Sequence, residues 1–400
     1  MAENNFKYVI VGGGLAGCYA IDGIRSQDSA GSVLLISMES YLPYDRPPLT
    51  KKLWFGKKKV EDIFIRDRQY FVENGTKVLL ETQAVSIDAA NKTVTCEGEE
   101  TYHYEKLLLA TGGTPRRLNI EGSDRKEIYY YRYLDDYLRL KSHVSEGTNA
   151  LVIGGGFIGS EIAAALNVNK VHVTILMDGP YLVDRVFPRS VGTAIQQDYV
   201  RRGVKILSQD SAVSITKRDH FLSATTKSNR VINSDVVIVG IGIEPSTELA
   251  ESASLEVGNG IVVNEFLETS NKDIYAAGDN ACFPYQVLGI DTRVEHWDNA
   301  INQGKTAGMN MAGAHTPYNY MPYFFSDLFD FGYEAVGLVS SQLQTYGDWE
   351  KENEKGILYY IQDSQVRGAM MCNVWNKVNE AREWIRSNKQ ISLAKLRRET

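Results

Sequence analysis

Two segments of this chain share one unusual pattern, and that pattern limits the architectures open to it. The first is Tyr8-Val9-Ile10-Val11-Gly12-Gly13-Gly14-Leu15-Ala16-Gly17; the second is Leu151-Val152-Ile153-Gly154-Gly155-Gly156-Phe157-Ile158-Gly159. Each is a β-branched apolar run, then G-x-G-x-x-G, then helix-forming residues. The pattern predicts a buried strand turning sharply into a helix. Gly12 and Gly154 stand where the turn needs angles that a side chain disfavours. Gly14 and Gly156 leave the backbone bare for a pyrophosphate, and Gly17 and Gly159 allow close helix–strand packing. The first helical amides, Leu15 and Ala16 in one motif and Ile158 in the other, then face the phosphates with the helix dipole behind them. An isolated motif of this kind could be an ordinary β-α turn. Two in one chain, both correctly flanked, imply two dinucleotides and point to electron movement between them.

The rest of the composition narrows the class. At 400 residues the chain can build two or three domains with a large core. Its net charge of −7 argues against general nucleic-acid binding, which leaves a basic footprint. The four cysteines, Cys18, Cys96, Cys282 and Cys372, are too scattered for a disulfide framework or a metal set, so no metal is expected. A reducing, cytoplasmic setting is the expectation. The opening residues Met1 to Lys7 lack the apolar core of a signal peptide, and no apolar run reaches membrane-spanning length.

Segment by segment, the pattern reads as α/β. Strands are expected over 6–11 and 33–37, with a helix from about Leu15 to Arg25 between them. Alternation from Val78 to Cys96 suggests antiparallel structure. Leu107-Leu108-Leu109-Ala110-Thr111-Gly112-Gly113 reads as a buried strand ending in a turn. The second unit begins near Ala150, continues with a strand over 171–176, and has another over 236–239 before Gly240-Ile241-Gly242. The chain then returns to the first domain through Asp273 to Asp279 and a helix from Trp297 to Met311. Ala300, Ile301, Gly304, Ala307 and Met311 form one stripe on that helix. The expected architecture is two Rossmann-type, three-layer dinucleotide-binding domains plus a C-terminal α+β domain. Its boundaries are 1–115 with 242–318, 116–241, and 319–400.

The order of motifs resembles the flavoproteins of the glutathione-reductase fold, in particular their ferredoxin-reductase and apoptosis-inducing-factor branch. The resemblance rests on Leu42-Pro43-Tyr44-Asp45-Arg46-Pro47-Pro48-Leu49-Thr50-Lys51, Asp279-Asn280-Ala281-Cys282-Phe283 and Arg293-Val294-Glu295-His296-Trp297-Asp298-Asn299-Ala300. Phe324-Phe325-Ser326-Asp327-Leu328 and Gly332-Tyr333-Glu334-Ala335-Val336-Gly337 add to it. It covers nearly the whole chain. It implies FAD in the first domain, a nicotinamide cofactor in the inserted second domain, and a C-terminal domain over the flavin.

The resemblance also assigns residues. For FAD it implies the first glycine motif, Glu39, Arg46, Lys51, Ala84, Ala110, Thr111, Gly112, Asp279, Glu295, His296, Trp297 and Phe325. For NAD it implies the second glycine motif, Glu161, Asp178 and Gly242. Lys51 and Glu161 are expected as an ion pair beside the flavin N5; the alternative is two solvated charges. Phe157 is expected to gate the nicotinamide, or else to pack helix on sheet. His296 is expected near the flavin, at the amino end of a helix whose dipole favours an anionic ring. Asp279 is expected on the ribityl and phosphate region, although an Asp after a strand also suits a helix cap. Phe325 stands where many relatives carry tryptophan; it stacks but donates no hydrogen bond.

In relatives an acid ends the second strand of each dinucleotide unit. Here Met38-Glu39 and Met177-Asp178 place it one residue late. Asp178 would repel a 2′-phosphate, which favours NADH over NADPH. The implied activity is an FAD-dependent NADH oxidoreductase, with no cysteine pair near 41–51 to act as a built-in dithiol. Candidate acceptors are a small iron–sulfur protein or rubredoxin, a quinone or dye, a monodehydroascorbate-type radical, or oxygen. Lys51, Lys52, Lys57, Lys58 and Lys59 form a basic segment suited to an acidic ferredoxin. The rival reading is an apoptosis-inducing-factor-like redox sensor, slow in turnover, with a stable FADH2–NAD charge-transfer complex. A membrane-surface quinone reductase would want an amphipathic anchor in the basic end through Arg398. A homodimer is compatible with the chain.

Overall fold

The computed structural model describes residues 4–387. The basic end through Arg398 lies outside the described residues. The chain forms two compact units. One is drawn from Met1–Asp45, Val60–Thr114 and Glu244–Pro322, the other from Arg46–Lys59, Pro115–Ile243 and Tyr323–Thr400.

The first unit is built on a mixed sheet. From one edge its strands run Thr76–Leu79, Val33–Ile36, Asn5–Val11, Thr101–Leu109, Thr93–Cys96 and Ala84–Asp88; Ile274–Ala276 also pairs with Thr101–Leu109. Asn5–Val11 runs parallel to both neighbours, with Val11 opposite Ile36 on one side and Leu109 on the other. Strand Val33–Ile36 is buried throughout, as an apolar run covered on both faces should be. The alternation from Val78 to Cys96 covers two different situations. Only Ala84–Asp88 and Thr93–Cys96 pair antiparallel. Val78 belongs to a parallel edge strand beside Val33–Ile36, and helix Arg68–Glu73 precedes it on the way back to the sheet.

Helices Leu15–Gln27 and Trp297–Met311 pack against each other with backbones nearly in contact. A Cβ added at Gly304 would lie 2.2 Å from Ala16 O, and one at Gly308 would lie 2.0 Å from Ala20 O. On the expected stripe of the second helix, Ala300, Gly304, Ala307 and Met311 are buried, while Ile301 is half-buried. Small residues therefore decide how closely the two helices approach.

The second unit holds a parallel sheet in the order Lys205–Leu207, His172–Leu176, Asn149–Ile153, Val236–Val239 and Ile128–Tyr130. An antiparallel sheet of Ala212–Arg218, Phe221–Thr226 and Val231–Ser234 accompanies it. Leu151, Leu176, Ile215, Leu222 and Val237 share one core between the two sheets. The C-terminal part is a five-stranded antiparallel sheet in the order Tyr323–Leu328, Phe331–Gly337, Gln365–Cys372, Lys355–Gln362 and Gln344–Lys351. Helix Val378–Arg386 lies on it through Ala381 and Ile385. The fold is the expected one: two Rossmann-type α/β domains and a C-terminal α+β domain. Among the described residues, no helix is long and apolar enough to cross a membrane.

Candidate active site

The two glycine motifs fold alike, residue for residue. Gly12 has φ of +124° and Gly154 of +114°. A Cβ at Gly12 would sit 2.1 Å from Ala110 O, and one at Gly154 would sit 2.3 Å from Gly240 O. Each first glycine thus lets its turn close against the end of a neighbouring strand. Each third glycine is packed on the first: a Cβ at Gly17 or Gly159 would lie 2.0 Å from the carbonyl oxygen of Gly12 or Gly154. The middle glycines differ in kind. A Cβ at Gly14 or Gly156 would meet no heavy atom within 4 Å. Both are the N-caps of their helices, Leu15–Gln27 and Phe157–Val168, and no side chain caps either helix. Helix amides with no side-chain acceptor, facing open space at a bare glycine, make an anion cradle. The donor set and the reserved space fit a dinucleotide pyrophosphate in each unit.

Around the first cradle, Ala110, Thr111 and Gly112 follow strand Thr101–Leu109, and Gly112 is left-handed with φ of +66°. Gly278 and Asp279 follow strand Ile274–Ala276. Asp279 caps no helix, because strand Ala281–Tyr285 comes next. Two residues with no expected role hold these turns in place. Asn280, fully buried, donates from Nδ2 to Leu109 O (3.1 Å) and Thr111 Oγ1 (2.9 Å). Gln303, also fully buried, accepts the Gly278 N–H at 2.9 Å. Asn280 lies inside the Asp279–Phe283 motif and Gln303 next to the Gly304 of the helix stripe, and those positions are the signal the sequence offers.

Glu39 lies beyond the end of strand Val33–Ile36, half-buried, and its carboxylate accepts the Tyr44 hydroxyl. Ala84 opens an antiparallel strand opposite Cys96. His296 is the N-cap of helix Trp297–Met311. Burial pushes its imidazole pKa down to about 4, against the opposing charge of Asp279. Its ring is therefore neutral at pH 7. Trp297 Nε1 donates to Asp45 Oδ1 at 2.9 Å, and Glu295 pairs with Arg293, which also donates to Asp279 O at 2.8 Å.

The second unit brings together residues far apart in sequence. Lys51 ends the 3-10 turn Pro47–Thr50, and Glu161 lies on helix Phe157–Val168. Lys51 Nζ is 3.0 Å from Glu161 Oε1, with both side chains 8% exposed. They are not solvated charges, and Lys51 cannot belong to the exposed basic segment. Of that segment Lys52, Lys57 and Lys59 are exposed and Lys58 is half-buried. The Lys51 ammonium also lies 4.9 Å from the Phe325 ring centroid. Two further donors, Thr50 Oγ1 at 2.5 Å and Ser326 Oγ, reach the Glu161 carboxylate. The preceding residue is anchored as well: Tyr131 OH (2.6 Å) and Trp54 Nε1 (2.8 Å) both donate to Leu49 O.

Phe157 packs edge-on against Phe324, with ring centroids 5.7 Å apart, and lies tilted against Tyr333 at 6.4 Å. It is half-buried, and its neighbour Ile158 is 39% exposed. Burial first, and the Glu161 charge second, hold the hydroxyls of Tyr199 and Tyr333 well above the usual tyrosine range. Both stay neutral near that carboxylate. Asp178 is exposed just past strand His172–Leu176, while Met177 fills the space at Gly155. Gly242 is left-handed with φ of +100°, and its carbonyl accepts the Arg116 N–H. Arg46 is placed in this unit, its guanidinium 5.2 Å from the Tyr133 ring centroid and donating to Arg132 O.

Residues 6–304 match the pyridine nucleotide-disulphide oxidoreductase family. The chain belongs to that family. Residues 307–355 match the C-terminal domain of mitochondrion-associated apoptosis-inducing factor. The chain is 32% identical to apoptosis-inducing factor 1 of Dictyostelium discoideum, over 96% of this chain and 79% of that protein. It is 35% identical to rubredoxin-NAD(+) reductase of Pseudomonas putida, over 83% of this chain and 86% of the other. A crystal structure of a covalent putidaredoxin reductase–putidaredoxin complex superposes with a TM-score of 0.90 at 27% identity, covering 98% of this chain and 95% of that one. Membership makes the protein an FAD-dependent NAD(P)H oxidoreductase, and the two cradles are consistent with those cofactors.

Proposed function

We propose that the protein oxidises NADH, passes hydride to FAD, and hands the electrons to a small iron–sulfur protein or rubredoxin without an internal dithiol. The observation that carries this reading is the buried Lys51–Glu161 pair, with three donors on one carboxylate. Burying such a pair is costly, and a full set of hydrogen bonds offsets the cost. A purely structural helix–loop contact would be met more cheaply by apolar side chains. Bound FAD supplies a ring that accepts a hydride and releases electrons singly or in pairs. The chain's own residues bind and orient. The amides behind Gly14 and Gly156 hold pyrophosphates. Lys51 would supply a fixed ammonium to negative charge developing on a bound ring. Within the first unit, the amino end of helix Trp297–Met311 would offer a positive dipole end to a bound flavin, and His296 stays neutral there.

The exposed Asp178 supports NADH over NADPH, since a carboxylate repels a 2′-phosphate. The cysteines support direct transfer. None lies in 41–51, and burial raises the thiol pKa of Cys18 to about 12 and of Cys96 to about 11, far from reactive thiolates. The protein-acceptor reading draws on the rubredoxin-NAD(+) reductase and putidaredoxin reductase relatives. The match of 307–355 favours a second reading, a slow NADH-responsive sensor. Stopped-flow reduction by NADH and NADPH, followed by an acceptor panel, tests both. Fast NADH reduction with rapid rubredoxin or ferredoxin turnover supports the reductase. Slow turnover with every acceptor supports the sensor, and a colourless protein that takes up no flavin refutes both.

A further inference from the structure

The family resemblance pairs Glu161 with Lys51 alone. The structure shows a carboxylate held by three donors from two separate segments, the adjacent Thr50 and Lys51 and the distant Ser326. Lys51 Nζ and Ser326 Oγ reach Oε1, and Thr50 Oγ1 reaches Oε2 at 2.5 Å. Ser326 comes from the C-terminal strand Tyr323–Leu328, and Thr50 from the turn Pro47–Thr50. Ser326 is 2% exposed, Thr50 4% and Glu161 7%. The neighbours of both hydroxyls matter. Thr50 precedes Lys51, and Ser326 follows Phe325, the ring beneath the Lys51 ammonium. Each hydroxyl therefore locks one residue of the ammonium's surroundings to the same carboxylate.

We infer that Thr50 and Ser326 are positioning residues that fix the Glu161 carboxylate, and through it the Lys51 ammonium over Phe325. A carboxylate tied only to lysine can rotate about its terminal torsion and share its oxygens among several lysine rotamers. With one hydroxyl on each oxygen the carboxylate plane is set, and the long lysine chain has one favoured end point. Catalytic groups lose much of their effect when displaced by about 1 Å, so the hydroxyls matter to rate more than to binding. A C-terminal strand that carries such a donor also makes the geometry of Lys51 depend on the docking of that domain.

This inference rests on the reductase reading, and its test separates the two. The variants are Thr50→Val, Ser326→Ala, the double variant, and Thr50→Ser as the conservative control. The first readout needs no turnover: acetylation of the purified protein by acetic anhydride, with site-by-site rates from mass spectrometry. In the wild type, Lys51 should react at least about 10-fold more slowly than the exposed Lys52. In the double variant Lys51 should react several-fold faster, while Lys52 and Lys7 keep their rates. The second readout is NADH reduction of the flavin. Thr50→Val and Ser326→Ala should each lower the limiting rate roughly 10-fold with KM for NADH little changed, consistent with loss of one bond to a charged group. The double loss should be less than the product of the singles, because both bonds converge on one carboxylate. Thr50→Ser should restore both readouts.

If the double variant keeps wild-type Lys51 acetylation and the wild-type limiting rate, the inference is overturned. It also falls if Thr50→Ser behaves like Thr50→Val, since then the methyl and not the hydroxyl is what matters. If wild-type protein is not reduced by NADH while the acetylation pattern shifts as expected, the reductase reading fails and the positioning role stands.

Discussion

Replacing Gly14 by alanine separates the space a fold needs from the space a ligand needs. An ideal Cβ at Gly14 meets nothing within 4 Å, and its backbone, φ −87° and ψ −168°, is extended and open to any residue. The apoprotein should therefore tolerate the methyl. Alanine is a poorer N-cap than glycine by a few tenths of a kcal/mol or somewhat more, and the stiffer unfolded chain returns about 0.4–1 kcal/mol. The net change in stability should be within about 1 kcal/mol. For the cofactor the sum is different. A phosphate oxygen accepting helix amides sits about 2.9 Å from nitrogen, whereas a methyl keeps oxygen beyond about 3.4 Å. Displacement by roughly an ångström weakens one or two charge-assisted bonds, each worth about 1.5–3 kcal/mol. FAD should bind roughly 10- to 1,000-fold more weakly.

Gly17→Ala is the contrast, because its Cβ would lie 2.0 Å from Gly12 O and force the helix off its turn. The assay is urea unfolding of both apoproteins beside flavin titration followed by fluorescence quenching. Should Gly14→Ala hold FAD as tightly as wild type, or lose as much stability as Gly17→Ala, the reasoning about reserved space is wrong.

Gly156→Ala should behave likewise toward the nicotinamide cofactor, raising KM for NADH about 10-fold or more while leaving bound FAD and the melting temperature unchanged. Lys51→Met leaves the Glu161 carboxylate buried with two hydroxyl donors, and should cost about 2–4 kcal/mol in urea unfolding; adding Glu161→Gln should return part of that loss without restoring flavin reduction. Strict additivity of the two changes would refute a coupled pair. Gly308→Ala should destabilise the first unit by about 1–3 kcal/mol, since its Cβ would lie 2.0 Å from Ala20 O between two helices; an unchanged urea midpoint would show that the helices can part freely. His296 has a folded pKa near 4 and an unfolded one near 6.5, so the unfolded chain binds the extra proton between those values. Stability from this residue is present above about pH 6.5 and falls as pH drops toward 4, by on the order of 2 kcal/mol after allowing for partial exposure. A His296→Gln variant should flatten that part of the stability–pH curve, and an unaltered slope would count against it.

Local periodicity was enough to write down much of this protein. Apolar runs followed by spaced glycines predict both strand–turn–helix units, and the structure shows the same turn twice, down to the carbonyl that each third glycine approaches. Helix Trp297–Met311 is legible from its small-residue stripe for the same reason: burial there follows the helical repeat. The strand Thr76–Leu79 was not legible, because alternation looks alike in a parallel edge strand and an antiparallel hairpin, and only pairing tells them apart. The acids Glu39 and Asp178 could be numbered but not aimed. What tertiary structure alone decided is the company that Glu161 keeps. Thr50 and Ser326 lie 111 and 165 residues from it, and nothing in a local window marks a serine or threonine as the donor to a distant carboxylate. Backbone pattern is written in neighbours along the chain; the surroundings of a buried charge are supplied by whichever segments folding brings to it.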